Sequence, residues 1–252
     1  MRPTATHWVP LALAMICATL TTADCRAADP APGDGWVNLI DGDGPHGWQA
    51  VPKGWAVVGS THLSAGNLKR LAAANGKGVL YNGPTGRAGN LVTAAKFGDV
   101  EAHVEFLVPA GSNSGVKFEG VYEVQIFDSY GVKTATASHS GGVYPRAELL
   151  PNYHHIDDGY PPLVNAAKPP GEWQTLDVVF HAPKFARDGK KSAHARFVKV
   201  VLNGRLVQDN QEVPSPTGHA WHGKEEPTGP LLLQGDHGPV AFRNVRVRPI
   251  ND

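Results

Sequence analysis

Asn113 to Gly131 reads Asn-Ser-Gly-Val-Lys-Phe-Glu-Gly-Val-Tyr-Glu-Val-Gln-Ile-Phe-Asp-Ser-Tyr-Gly, the stretch richest in groups able to work on a hydroxyl-bearing ligand. Its spacing predicts two short strands joined by a tight turn at Glu119-Gly120. On the second, Tyr122, Val124 and Ile126 share one side. Glu123, Gln125 and Phe127 share the other, and Asp128 follows at the strand end. A purely structural strand tends to carry Lys, Thr or Ser on its polar face. Here that face offers a carboxylate and an amide two residues apart, the floor of a candidate site. Glu123 is the candidate base or metal ligand, against a plain reading as a solvated strand carboxylate. Gln125 would bind a hydroxyl or support Glu123, or hydrogen-bond a neighbouring strand. Lys117 could pair with Glu123 or contact the ligand, or remain a solvated lysine. Asn113 joins them as a ligand contact. Asp128 is either a further contact or the cap of the Ser129-Tyr130-Gly131 turn.

A second source of chemistry is Asp236-His237-Gly238, between two apolar runs. Histidine titrates near neutral pH and can serve as acid, base or ligand. Asp236 could orient it or be an ordinary turn residue. His154-His155 with Asp157-Asp158 is the densest group of metal-ligand types. Adjacent histidines on an extended chain point opposite ways, so only one could join a given site. His219 and His222 flank Trp221 without ligand spacing and read as surface residues. Tyr122, Tyr130, Tyr144, Trp173 and Trp221 are candidates for a sugar-stacking platform, although most aromatics of a sandwich are core. Trp173 is assigned to the core and Tyr144 to the cleft wall.

The elements that must position these groups are strands. Val100, Ala102, Val104, Phe106 and Val108 alternate with Glu101, His103 and Glu105. Leu176, Val178 and Phe180 alternate again. Phe197 to Leu202 and Arg205 to Gln208 flank Asn203-Gly204, a strong hairpin signal. Leu231 to Leu233 and Val240 to Val247 close the set, with a break of parity near Asn244 that predicts a bulge. Only Ser64 to Asn75 suggests a short helix. Tyr144 to Gly171, rich in Pro, Tyr, His and Asp, reads as one long ordered loop of the kind that carries function.

Arg2, the apolar run Trp8 to Leu20 and the small residues near Ala27 predict an export signal over residues 1–27, too short to span a bilayer. Residues 28–252 would then form one domain, periplasmic or secreted. Asp24 before Cys25 argues against lipidation. Both cysteines, Cys17 and Cys25, lie in that leader, so the mature chain would hold no disulfide or thiolate site. The 23 basic and 23 acidic residues balance, which argues against nucleic acid or an anionic membrane as partner. Oligomeric state is not encoded in any pattern found.

Several blocks resemble the 3-keto-disaccharide hydrolase domain family. They are Trp36 to Gly42 with Gly47-Trp48, then Asn113-Ser114-Gly115 leading into Tyr122 to Ile126 and Asp128 to Gly131. Asn165-Ala166-Ala167 to Trp173, Leu202-Asn203-Gly204, and Leu233 to Gly238 with Phe242-Arg243-Asn244 follow in the family's order. The inserts Tyr144 to Pro162 and Pro183 to Arg196 exceed its shorter members. The resemblance implies an all-β, concanavalin-like jelly-roll sandwich of two antiparallel sheets with long loops. It also implies exported proteins acting on sugars oxidised at one ring hydroxyl. A ring ketone acidifies the hydrogen on the adjacent carbon. A base can remove it, the enolate expels the aglycone, and water adds back. That route needs a base, an enolate stabiliser and an acid. A divalent ion could act as the stabiliser. A non-catalytic, lectin-like sugar-binding module is the competing expectation, since this fold hosts both. A structural envelope protein is a third.

Overall fold

In a computed structural model of the chain, residues 35–250 are described. The leader and both cysteines lie outside them. The alternating segments form two antiparallel sheets. The larger has nine strands. Seven run in the order Arg205–Val213, Ala195–Leu202, Gln174–His181, Val100–Leu107, Ala241–Pro249, Val37–Asp41 and Gly44–Pro45. The long hairpin Ala56–Ser64 and Asn67–Tyr81 joins through its second strand, which pairs with Ala241–Pro249. The smaller sheet has four strands: Leu91–Val92, Leu232–Leu233, Asn113–Phe118 and Tyr122–Phe127. Strands far apart in sequence become neighbours in both sheets, as jelly-roll connections require.

The alternation decides which side is buried. Val100, Ala102, Val104 and Phe106 of one sheet and Val116, Phe118, Tyr122, Val124 and Ile126 of the other fill the space between. Phe118 stacks on Phe180 at 5.1 Å between ring centroids and meets Phe197 edge-on at 5.6 Å. Each such ring contributes roughly 1.5–3 kcal/mol through burial. The Tyr122 hydroxyl reaches the rim of this core and donates to Glu225 Oε1.

Asn203 and Gly204 both have positive φ, 52° and 78°, the mirror-image turn expected of Asn-Gly. The register slips between Arg243 and Arg246, with Asn244 at φ 47°, so the bulge sits where parity breaks. The helix expected over Ser64 to Asn75 is absent. That segment turns at Gly66 and runs back as a strand, with Thr61 opposite Ala73 and Leu63 opposite Leu71. Cross-strand pairing and burial of Leu71 against Leu107 and Tyr81 override the helical preference of its alanines. Among the described residues, no helix is long and apolar enough to cross a membrane.

Tyr144 to Gly171 is an ordered loop with a short ribbon, Ala147–Glu148 against His154–His155. Val143 and Tyr160 bond each other's backbones at its base. Gln208 Nε2 donates to the carbonyls of Gly141, Tyr160 and Pro161, which ties the loop to the larger sheet. The insert Pro183 to Arg196 carries a second ribbon, Lys184–Phe185 against Lys191–Ala193.

Candidate active site

The hairpin Asn113–Phe118 and Tyr122–Phe127 supplies the floor of the site. Its register places Lys117 opposite Glu123, Gly115 opposite Gln125 and Asn113 opposite Phe127, all on the face turned away from the core. Glu123 is 3% exposed and Gln125 is 2% exposed. Such burial of a carboxylate demands a partner. Lys117 provides it, with Nζ 3.0 Å from Glu123 Oε2. The other carboxylate oxygen lies over Gly115. A Cβ built there would stand 2.4 Å from Glu123 Oε1, so only glycine leaves room for the carboxylate.

The segment following the second strand builds the wall. Gly141 donates to the Gln125 carbonyl, and Tyr144 donates to that of Glu123. Tyr144 is thereby held beside Glu123. Its hydroxyl bonds that of Tyr153 at 2.9 Å and lies 3.1 Å from His155 Nε2. Burial and the bond to Tyr153 raise its pKa, keeping the phenol neutral. Thr217 fixes the adjoining loop, for its Oγ accepts from the Glu123 N–H and donates to the Val121 carbonyl.

His237 sits at the rim on the loop Gln234 to Pro239. Its Nδ1 is 2.6 Å from Asp236 Oδ1, so the pair is an oriented imidazole with a carboxylate behind it. The loop is clamped by Asn82, which is 2% exposed. Asn82 Nδ2 donates to the carbonyls of Gly235 and Gly238, and its Oδ1 accepts from the Val240 N–H.

These groups surround one cleft of about 300 Å³. Asn113, Lys117, Glu123, Gln125, Tyr144 and His237 line it. Asp236 stands behind His237. Asp128 is not brought in, because its carboxylate accepts from the Gly111 N–H at 2.9 Å and ties the loop preceding the hairpin. The histidine and aspartate cluster is occupied with structure. Asp157 accepts from the backbone and side chain of Arg146, His154 pairs with the Asn152 carbonyl, and His155 meets Tyr144 edge-on. Among the described residues, no three His, Cys, Asp or Glu side chains gather to hold a metal ion. Trp173 packs on the outer face of the larger sheet under Arg243, 4.2 Å from its centroid, rather than in the main core.

Four further lining residues, Tyr153, Gly218, His219 and Gln234, were not among the sequence candidates. His219 was placed with the surface residues. It is exposed, yet the long-range pairing of Gly218 with Pro145 and Ala147 carries it to the cleft. Gln234 had a signal, being a polar residue that continues the outward parity of Leu232. A larger cavity of about 510 Å³ shares Tyr144 as a wall and is lined by Arg146, Asp157, Asp158 and Pro214. Its Arg146 and Asp157 neutralise each other at 2.6 Å. The smaller cleft gathers a carboxylate, an ammonium and an imidazole.

A family model described as the 3-keto-alpha-glucoside-1,2-lyase-like domain matches residues 35–248. A 3-keto-disaccharide hydrolase of Bacteroides thetaiotaomicron is 26% identical over 251 residues, covering 88% of this chain and 81% of that protein. A putative glycosyl hydrolase structure from Parabacteroides distasonis superposes with TM-score 0.55 at 26% identity, covering 90% of this chain and 95% of its own. A second from that organism, at 18% identity and TM-score 0.56, covers 86% and 95% and shares the fold.

Proposed function

This chain belongs to the 3-keto-alpha-glucoside-1,2-lyase-like domain family, and we propose that its cleft cleaves glycosides whose sugar ring carries a ketone two carbons from the anomeric centre. The family and its relatives make it a carbohydrate-active, glycosyl hydrolase-like protein. The observation that carries the finer reading is the buried Lys117–Glu123 pair on the cleft floor, with the Asp236–His237 pair at its rim.

In this reading Glu123 takes the proton from the carbon between the ketone and the anomeric carbon. The electron pair moves toward the ketone oxygen, where the Lys117 ammonium stabilises the enolate. The enolate then collapses, the anomeric carbon–oxygen bond breaks, and His237 in its protonated form donates to the departing oxygen. Water adds to the resulting unsaturated sugar at the anomeric carbon and gives its proton to the now neutral His237, while Glu123, its acid proton exchanged with solvent, protonates the carbon beside the ketone and both groups are restored. Asp236 positions His237. The paired carboxylates of an ordinary glycosidase are not needed, because no oxocarbenium ion forms.

The lectin-like alternative needs only hydroxyl contacts and an aromatic wall. Purified protein tested on chromogenic 3-keto-glucosides and their unoxidised parents separates the two. Release from the keto substrates alone, reduced about 100- to 10,000-fold by Glu123→Gln with the fold intact, is expected. Saturable sugar binding without release would give the cleft to a binding module.

A further inference from the structure

Three amide side chains line the cleft with the same peculiarity. The oxygens Asn113 Oδ1, Gln125 Oε1 and Gln234 Oε1 are all buried and accept no hydrogen bond within the protein. Gln125 and Gln234 are at least nine-tenths buried. The sense of the Gln125 amide is fixed, because its Nε2 donates to the Ser138 carbonyl, which leaves the oxygen on the other side. A buried acceptor without a donor is costly, and three around one cleft are not accidental packing. The terminal amide torsions of Asn and Gln are soft, so a small rotation presents each oxygen to a ligand.

We infer that Asn113, Gln125 and Gln234 form a cradle that accepts from three hydroxyls of one sugar ring, which selects pyranosides with those hydroxyls unsubstituted. This rests on the proposed cleavage of 3-keto-glycosides. A glucoside oxidised at carbon 3 keeps three hydroxyl donors, two on the ring at carbons 2 and 4 and one on the exocyclic carbon 6. Its ketone can only accept, and Lys117 is the donor-only side chain of the same cleft. Three acceptors and one donor thus complement three hydroxyls and a ketone. A divalent cation is the other species that would satisfy three amide oxygens. The Lys117 ammonium beside Glu123 opposes it, since the cleft's one buried carboxylate is already neutralised.

The test is calorimetric binding of the methyl C-glycoside of 3-keto-glucose, which has no leaving oxygen and cannot be consumed. Its 2-, 4- and 6-deoxy forms are compared on wild type, Gln234→Met and Asn113→Ala. Wild type should lose roughly 5- to 150-fold in affinity for a deoxy form. The matching variant should bind the parent that much more weakly and no longer distinguish the deoxy form. Gln234→Met should melt no lower than wild type, because it removes an unpaired acceptor. Equal affinities across variants, or deoxy penalties unchanged by them, would overturn the cradle even if 3-keto-glycosides are cleaved. Lost affinity in the variants without any turnover would keep the cradle and discard the cleavage reading. Saturable Ca²⁺ binding abolished by Gln234→Met would also overturn it, in favour of a cation site.

Discussion

At the scale of single residues, the proposed chemistry depends on how Glu123 is held. Gly115 leaves space for its carboxylate and Lys117 balances its charge. Gly115→Ala should push the carboxylate off its position while the core on the opposite face stays packed. Steady-state kinetics should show kcat/KM lowered about 100-fold, the order expected for a displacement near 1 Å. The melting temperature should stay within about 4 °C of wild type. Unchanged kinetics would show that Glu123 is not the base. Alternation alone made Glu123 and Gln125 legible, since their parity opposes Tyr122, Val124 and Ile126. Lys117 was legible as a partner only because the tight turn fixes the register. The role of Gly115 was not, because a close approach between strands leaves no trace in a single sequence.

At the scale of elements, the site is made by loops that rigid strands bring together. The loop bearing His237 depends on Asn82, whose amide serves Gly235, Gly238 and Val240 at once. Asn82→Ala would leave these buried groups unpaired. We expect a loss of about 3 kcal/mol in urea unfolding, with kcat reduced beyond what Tm alone explains because His237 loses its position. A stability loss with normal kcat would assign Asn82 to structure only. Nothing in the sequence linked Asn82 to His237, which lies 155 residues away. Long-range pairing likewise hid His219, carried in by backbone bonds between Gly218 and the Tyr144 loop. The hairpin at Asn203-Gly204 and the bulge at Asn244 were legible because their chemistry is local. The alanine-rich strand Asn67–Tyr81 was not, because only its partner strand decides against a helix.

At the scale of the whole molecule, the sandwich follows from strands whose inward residues alternate throughout, and its outer face carries a charged network with consequences for pH. His103 Nδ1 bonds Asp177 Oδ1 at 2.6 Å. Although burial opposes its charge, that bond and nearby Glu105 raise its pKa to about 8. Glu105, despite burial, is held to about 2 by His103, Asn244 and Arg243, so it stays charged throughout. Glu119 is raised to about 8 by burial and by Glu225 and Asp99. Both His103 and Glu119 bind protons more tightly when folded than unfolded, so stability falls as pH rises. His103 contributes fully below about 6.5 and its share is gone above about 8, a change on the order of 2 kcal/mol. Urea midpoints should therefore drop between pH 6 and pH 9, and Glu119→Gln should flatten part of that slope. A midpoint that rises across this range would refute the assignment. NMR of a 3-keto-glucoside turned over in D₂O shows whether Glu123 removes a ring proton beside the ketone. Released sugar should carry deuterium on the carbon between ketone and anomeric centre well before uncatalysed exchange, and Glu123→Gln should abolish that labelling. Cleavage with the hydrogen fully retained would contradict the account.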